Sequence, residues 1–134
     1  MEQYLKHLEE RITTKQIKVG VIGLGYVGLP VACMLADAGF QVVGVDILPE
    51  RIEKINNGIN PIEGKEPGLA NLISRVVDMG GLIATSNYDA LQLAEVVLID
   101  VETPIDENHI PKYQALRSAC HSLAEVIQDG TLII

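Results

Sequence analysis

The stretch Ile17–Gly28, IKVGVIGLGYVG, constrains this chain more than any other. An apolar run that reads as a buried strand ends in Gly23-x-Gly25-x-x-Gly28, and an apolar helix-like run follows at once. A second apolar run, Gln41–Asp46 (QVVGVD), closes on an acid 18 residues after Gly28. Glycine triplets occur in many turns that bind nothing. A triplet between a strand and a helix, with an acid ending the next strand, is the pattern of a dinucleotide-binding βαβ unit.

The three glycines have different tasks in such a unit. Gly23 permits the tight turn out of the strand, Gly25 lets the backbone approach a pyrophosphate, and Gly28 lets the helix pack closely on the strand. The helix expected to start near Tyr26 would aim free N–H groups and its positive end at the phosphates. A carboxylate at Asp46 can accept hydrogen bonds from both adenosine-ribose hydroxyls and would repel a 2′-phosphate, so NAD is expected over NADP. Asp46 is equally placed to cap the helix that begins near Pro49.

At 134 residues the chain is long enough for one domain with a substantial core. Its hydrophobic content of 48%, rich in Val, Ile and Leu, suits a parallel sheet buried on both faces. A formal charge of −8 and the absence of Trp argue against nucleic-acid partners and acidic membranes. No apolar run reaches transmembrane length and no secretory signal is visible, so a cytoplasmic protein is expected. Cys33 and Cys120 suggest no disulfide framework, and each reads as a small core residue.

Residues 1–16 read as an N-terminal helix, with Tyr4, Leu5, Leu8 and Ile12 on one face, docking on the sheet edge or on another subunit. Residues 17–134 read as a three-layer α/β Rossmann fold, a doubly wound parallel sheet of order 3-2-1-4-5. Strands are expected at Ile17–Ile22, Gln41–Asp46, Leu82–Thr85 and Glu95–Val101, and from Thr131 onward. Helices are expected over Tyr26–Ala38, Pro49–Asn57, Leu69–Met79, Tyr88–Ala94 and Lys112–Gln128. Ile59–Gly68 is a Pro/Gly-rich loop that interrupts the alternation. A chain ending inside an apolar strand suggests one domain of a larger protein.

Gly23-Leu24-Gly25-Tyr26-Val27-Gly28-Leu29-Pro30 and Gly44-Val45-Asp46 resemble the N-terminus of the UDP-glucose/GDP-mannose dehydrogenase family. Asn57-Gly58-x-x-Pro61-Ile62, Glu66-Pro67-Gly68-Leu69, Leu82-x-Ala84-Thr85 and Val101-x-Thr103-Pro104-x-Asp106 keep that family's order and spacing. Pro30 and Glu66-Pro67-Gly68-Leu69 look closest to the branch acting on UDP-N-acetylmannosamine or UDP-N-acetylglucosamine, with the first favoured. The resemblance implies oxidation of a UDP-sugar C6 alcohol to the carboxylate with two NAD⁺, in a protein that is a homo-oligomer at full length. The family's reactive cysteine lies in later segments, so this chain alone is expected to bind NAD and catalyse nothing.

By motif match, the resemblance places cofactor contacts at Gly23, Gly25, Tyr26, Val27, Gly28, Asp46, Arg51, Val101, Thr103 and Pro104. Arg51 would lie over the adenine or pair with a phosphate, or stand as a solvated helix arginine. Two residues depart from the family pattern: Asp100 where Cys or a small residue is expected, and Glu102 where Pro is common. Both add negative charge beside the dinucleotide site. His109 and His121 form no metal pattern and read as surface or packing residues. The competing class is a regulatory module that senses NAD(H) without catalysis, which would not need the Ile59–Leu69 loop or Val101-x-Thr103-Pro104.

Overall fold

A computed structural model describes residues 1–134. Five parallel strands, β1 (Lys18–Ile22), β2 (Gln41–Val45), β3 (Leu82–Thr85), β4 (Val96–Ile99) and β5 (Leu132–Ile133), form one sheet of order β3-β2-β1-β4-β5. In the central register Val19 lies opposite Val42 on one side and Val96 on the other. Strand alternation then divides the core by face. Val19, Val21, Val42, Leu82, Ala84 and Val96 point to one side, while Ile22, Val43, Val45 and Val97 point to the other.

The first face is the thicker. It joins a cluster of 17 buried residues with α1 (Glu2–Thr13), α2 (Gly28–Asp37), α3 (Pro49–Asn56) and α4 (Leu69–Asp78), against 8 for the second. Leu29, Ala32, Cys33 and Ala36 of α2 and Ile73 and Val76 of α4 supply most of that helical contribution. The second face carries a 3₁₀ turn, Tyr88–Leu91, and α5 (Gln114–Ala124), of which only Ala119 and Leu123 are fully buried. Gly20 is needed on this side, because a Cβ there would lie 2.6 Å from Leu91 Cδ2.

Several elements are shorter than the sequence suggests. Helix α2 begins at Gly28, since Gly25–Val27 form a turn that leads into it, closed by the Leu29 amide donating to the Gly25 carbonyl at 3.1 Å. The segment after β3 is only a 3₁₀ turn, with the Asn87 side chain accepting from the Asp89 amide at 2.9 Å. Helix α5 starts at Gln114, because Pro104–Pro111 fold into a small loop closed by an antiparallel bridge between Ile105 and Pro111. Asp106 organises that loop by accepting from the amides of Asn108 (2.8 Å) and Ile110 (3.0 Å).

Helix α1 docks on the amino-terminal end of the sheet. Leu8 is its one fully buried residue, and Tyr4 and Leu5 remain exposed. Arg11 reaches Glu95, the residue before β4, at 2.8 Å and the Gln16 carbonyl at 2.7 Å. The Tyr4 hydroxyl donates to the Gly130 carbonyl in the turn before β5. This end lies opposite the carboxyl edge, where parallel sheets of this winding bind ligands.

Candidate functional site

At the carboxyl edge β1 runs into a turn that β2 and β4 hold from both sides. The Gly23 amide donates to the Val45 carbonyl at 2.8 Å, and the Asp100 amide donates to the Ile22 carbonyl at 2.8 Å. Gly23 has φ +94°, and a Cβ on it would lie 2.5 Å from the Asp100 carbonyl oxygen. Leu24 is fully buried and packs over Gly44, where a Cβ would meet its methyl carbons at 2.7 Å. Burying a leucine this completely contributes about 1.5–3 kcal/mol, which anchors the turn to β2.

The other two glycines divide along the line the sequence suggests. A Cβ on Gly28 would come within 1.7 Å of the Gly23 carbonyl oxygen, so only hydrogen fits between turn and helix. A Cβ on Gly25 would meet nothing closer than 4.0 Å, at Arg51 Nη1 and Glu102 Oε1. The ground in front of Gly25 is therefore open for a ligand. The amides of Gly25, Tyr26 and Val27 make no hydrogen bond within the chain, and no side chain caps α2. Three free N–H groups and a positive helix end thus face one opening.

That opening is a cavity of about 640 Å³. Of the sequence-predicted residues, Gly23, Gly25, Tyr26, Val27, Asp46, Arg51, Val101 and Thr103 line it. Gly28 and Pro104 do not. Gly28 lies beneath the turn against Gly23, and the Pro104 carbonyl accepts from the Lys112 amide at 2.7 Å, fastening the 104–111 loop. Tyr26 and Val27 are 65% and 62% exposed, so the turn's tip presents side chains as well as amides.

Asp46 is the one buried charged residue of the chain. Its Oδ2 accepts from the Leu24 amide at 2.9 Å and from Arg51 Nη1 at 3.0 Å, and its Oδ1 accepts from the Leu48 amide at 2.9 Å. The carboxylate thus staples the glycine turn to Leu48, just before α3, but it is not that helix's cap: Leu48 is the N-cap, and no side chain caps α3. Three acceptor positions are occupied, which leaves about one free on Oδ1. The expectation of two ribose hydroxyls on Asp46 therefore holds only if Arg51 moves away. Arg51 itself is neither solvated nor free: it is an ion-pair partner facing the cavity.

The sequence reading missed part of the lining. Ile47 (83% exposed) and Leu48 follow Asp46 and present apolar surface to the cavity, and an apolar pair directly after a strand-ending acid was a readable signal. Tyr88 from the 3₁₀ turn and Ala115, Ser118 and Ala119 from α5 arrive from distant segments, with no local signal. Burial pushes the Tyr88 phenol up from its ordinary value, with Cys120 and Asp46 adding to the shift, so it remains a proton donor at neutral pH. Neither cysteine lines the cavity. Cys33 is buried in α2 with its thiol pushed up to about 11 by burial, and Cys120 is exposed on α5, not in the core as the sequence suggests.

The arrangement fits a dinucleotide: an open approach at Gly25, unbonded amides beside it and an acid at the end of β2. Comparison with known proteins agrees. The profile of the UDP-glucose/GDP-mannose dehydrogenase family, NAD binding domain, matches residues 17–134. UDP-N-acetyl-D-mannosamine dehydrogenase of Pyrococcus horikoshii is 38% identical over 88% of this chain and 28% of its own length. The Escherichia coli protein of the same name is 39% identical over 87% of this chain and 26% of its own. The crystal structure of NDP-N-acetyl-D-galactosaminuronic acid dehydrogenase from Methanosarcina mazei superposes with a TM-score of 0.82 at 31% identity, covering 87% of this chain and 26% of that one. The chain thus spans about a quarter of the length of these relatives.

Proposed function

The chain belongs to the UDP-glucose/GDP-mannose dehydrogenase family, matched through that family's NAD-binding domain, and from this premise we propose that it forms the cofactor-binding part of a nucleotide-sugar 6-dehydrogenase. NAD is the cofactor. The observation that carries the reading is the convergence of the free Gly25, Tyr26 and Val27 amides with the Asp46 carboxylate on one cavity. The amides would hold the pyrophosphate, Asp46 the adenosine ribose, and Ile47 and Leu48 the adenine face. Arg51 would leave Asp46 to cover the adenine or meet a phosphate. Thr103 and Val101, at the end of β4, would bound the cofactor on its far side. Bound there, NAD supplies the hydride acceptor.

The proposed reaction converts the C6 primary alcohol of a UDP-sugar to a carboxylate. It removes two hydrides to two NAD⁺, takes the second carboxylate oxygen from water and releases three protons. UDP-N-acetylmannosamine is favoured because the relatives at 38–39% identity carry that sugar in their names. No cysteine, lysine or histidine lines the cavity. We therefore place the groups that handle the sugar outside residues 17–134; that the working enzyme is a cytoplasmic homo-oligomer is proposed on family membership alone. No helix of the chain is long and apolar enough to cross a membrane.

Titration with NADH and NADPH, read by nicotinamide fluorescence, tests the cofactor half of this proposal. Saturable NADH binding, tighter than NADPH and weakened by Asp46→Ala, is expected. A preference for NADPH would overturn the role given to Asp46. Oxidation assays on the complete enzyme of which this chain is the cofactor-binding part, with UDP-N-acetylmannosamine, UDP-N-acetylglucosamine and UDP-glucose in turn, would test the sugar half, and oxidation of only another UDP-sugar would refute the choice of sugar.

A further inference from the structure

Asp100 and Glu102 form no part of the reading above, yet both line the cavity. The ionisable lining beyond the Tyr26 and Tyr88 phenols consists of Asp46, Asp100, Glu102 and Arg51, three carboxylates to one cation. Arg51 is already taken by Asp46 at 3.0 Å. Asp100 and Glu102 therefore face the cavity with no ion-pair partner. Asp100 Oδ2 is buried and accepts no hydrogen bond, and the residue's Cβ lies 3.2 Å from where a Cβ on Gly28 would stand, beside the first turn of α2. Glu102 Oε1 lies 4.0 Å from the Cβ position of Gly25, across the open ground on which the free amides converge.

The two redox forms of the cofactor differ in charge. The pyridinium ring of NAD⁺ cancels one phosphate charge, and reduction removes that cancellation, so NADH is the more anionic by one charge. Repulsion from the cavity is correspondingly greater for NADH. We infer that Asp100 and Glu102 bias this cavity toward the oxidised cofactor, favouring capture of NAD⁺ and release of NADH by charge rather than by shape. The inference rests on the cavity being the NAD site. The charge that changes sits on the nicotinamide ring, so the bias grows as the ring approaches the two carboxylates.

Separate titrations of NAD⁺ and NADH by calorimetry test it, on the unaltered chain, on Glu102→Gln, and on Asp100→Asn/Glu102→Gln. Glu102 is exposed in a loop, so its single variant keeps the test sound even where the double variant folds poorly. At about 10 mM ionic strength, where screening extends over roughly 30 Å, neutralising both acids should lower the ratio Kd(NADH)/Kd(NAD⁺) by about three- to tenfold. The single variant should give roughly half that effect on a logarithmic scale. In about 1 M salt, with a screening length of roughly 3 Å, the unaltered chain and its variants should converge. Binding of both forms with an unchanged ratio would overturn this inference alone. Failure of every protein to bind either form would overturn the assignment of the cavity, and this inference with it.

Discussion

The two walls of the cavity at the carboxyl edge are built on different principles. The wall made by β1, β2 and the glycine turn is fully committed: Asp46 gives its oxygens to the Leu24 and Leu48 amides and to Arg51, and Leu24 is wholly buried. The wall at the end of β4 is uncommitted, with Asp100 Oδ2 unpartnered, Glu102 unpaired and Thr103 exposed. Each wall carries two charged groups, a paired acid and base on the first and two unpaired acids on the second, and only the first uses its charge to hold structure. A carboxylate beside a ligand cavity can therefore be part of the scaffold or part of the field, and its hydrogen bonds decide which.

The sharpest way to break this contrast lies beneath the committed wall. Gly28→Ala places a methyl group 1.7 Å from the Gly23 carbonyl oxygen, so either turn or helix must move. A loss of more than about 4 kcal/mol in denaturant unfolding is expected, at the extreme of single substitutions. Gly25→Ala, three residues earlier, points its methyl group into the cavity and should change stability by less than about 0.5 kcal/mol. It should instead weaken NADH binding. If the two variants destabilise equally, the division of labour among the glycines is wrong.

Next in size is Asp46→Ala. It orphans the buried Leu24 amide, the Leu48 amide and the Arg51 guanidinium together. Each buried unmet group costs about 1–3 kcal/mol, and partial access of water to Arg51 moderates the sum, so a loss of about 2–4 kcal/mol is expected. The same variant should narrow the preference for NADH over NADPH. Full stability with altered cofactor preference would show that Asp46 is recognition only, erasing the contrast between the walls.

The helices behind the walls differ in the same sense, and pH separates them. Cys33 of α2 is fully buried with its thiol raised to about 11 from 9.0, whereas Cys120 of α5 is exposed. A thiol kept protonated by the fold binds more protons folded than unfolded between those values. Stability conferred in this way is complete below about pH 9 and falls as pH rises through the folded value. The loss is about 2 kcal/mol by pH 11, and Cys33→Ala should flatten that part of the profile relative to Cys120→Ala. A thiol reagent should label Cys120 rapidly and Cys33 only on unfolding.

How much of this was legible in the sequence follows from where each signal resides. The committed wall is local: strand, glycine turn, helix and Asp46 fall within Ile17–Asp46, and the tight turn at Gly23 and the close packing at Gly28 could be read from the triplet in that context. The strand order and the two-faced core also follow, because alternating helices and apolar strands leave few ways to wind a parallel sheet. What escaped was nonlocal. Tyr88 and α5 reach the cavity only through the packing of the thinner face, and the 3₁₀ turn before β4 replaces an expected helix. The Asp46–Arg51 pair was hidden too: five residues apart, the two were read separately, Asp46 for the ribose and Arg51 for the adenine, a phosphate or solvent, and only the turn into α3 brings them within 3.0 Å.

The smallest expected effect tests the uncommitted wall most directly. Asp100→Asn removes a carboxylate whose buried Oδ2 has no partner, and keeps the volume over Gly28. An unpaired buried charge costs stability unless it is compensated, while the positive end of α2 close by recovers part of that cost, worth about 0.3–1 kcal/mol. These opposing contributions nearly cancel, so the variant should be unchanged or more stable by up to about 1 kcal/mol. Asp46→Asn makes the same chemical change on the opposite wall and turns an acceptor into a donor against the Leu24 or Leu48 amide, which should cost about 2 kcal/mol. Thermal unfolding of the pair isolates the sign of each. If Asp100→Asn destabilises as much as Asp46→Asn, the β4 carboxylate is a structural member, and its position beside the cavity carries no charge bias free of the fold.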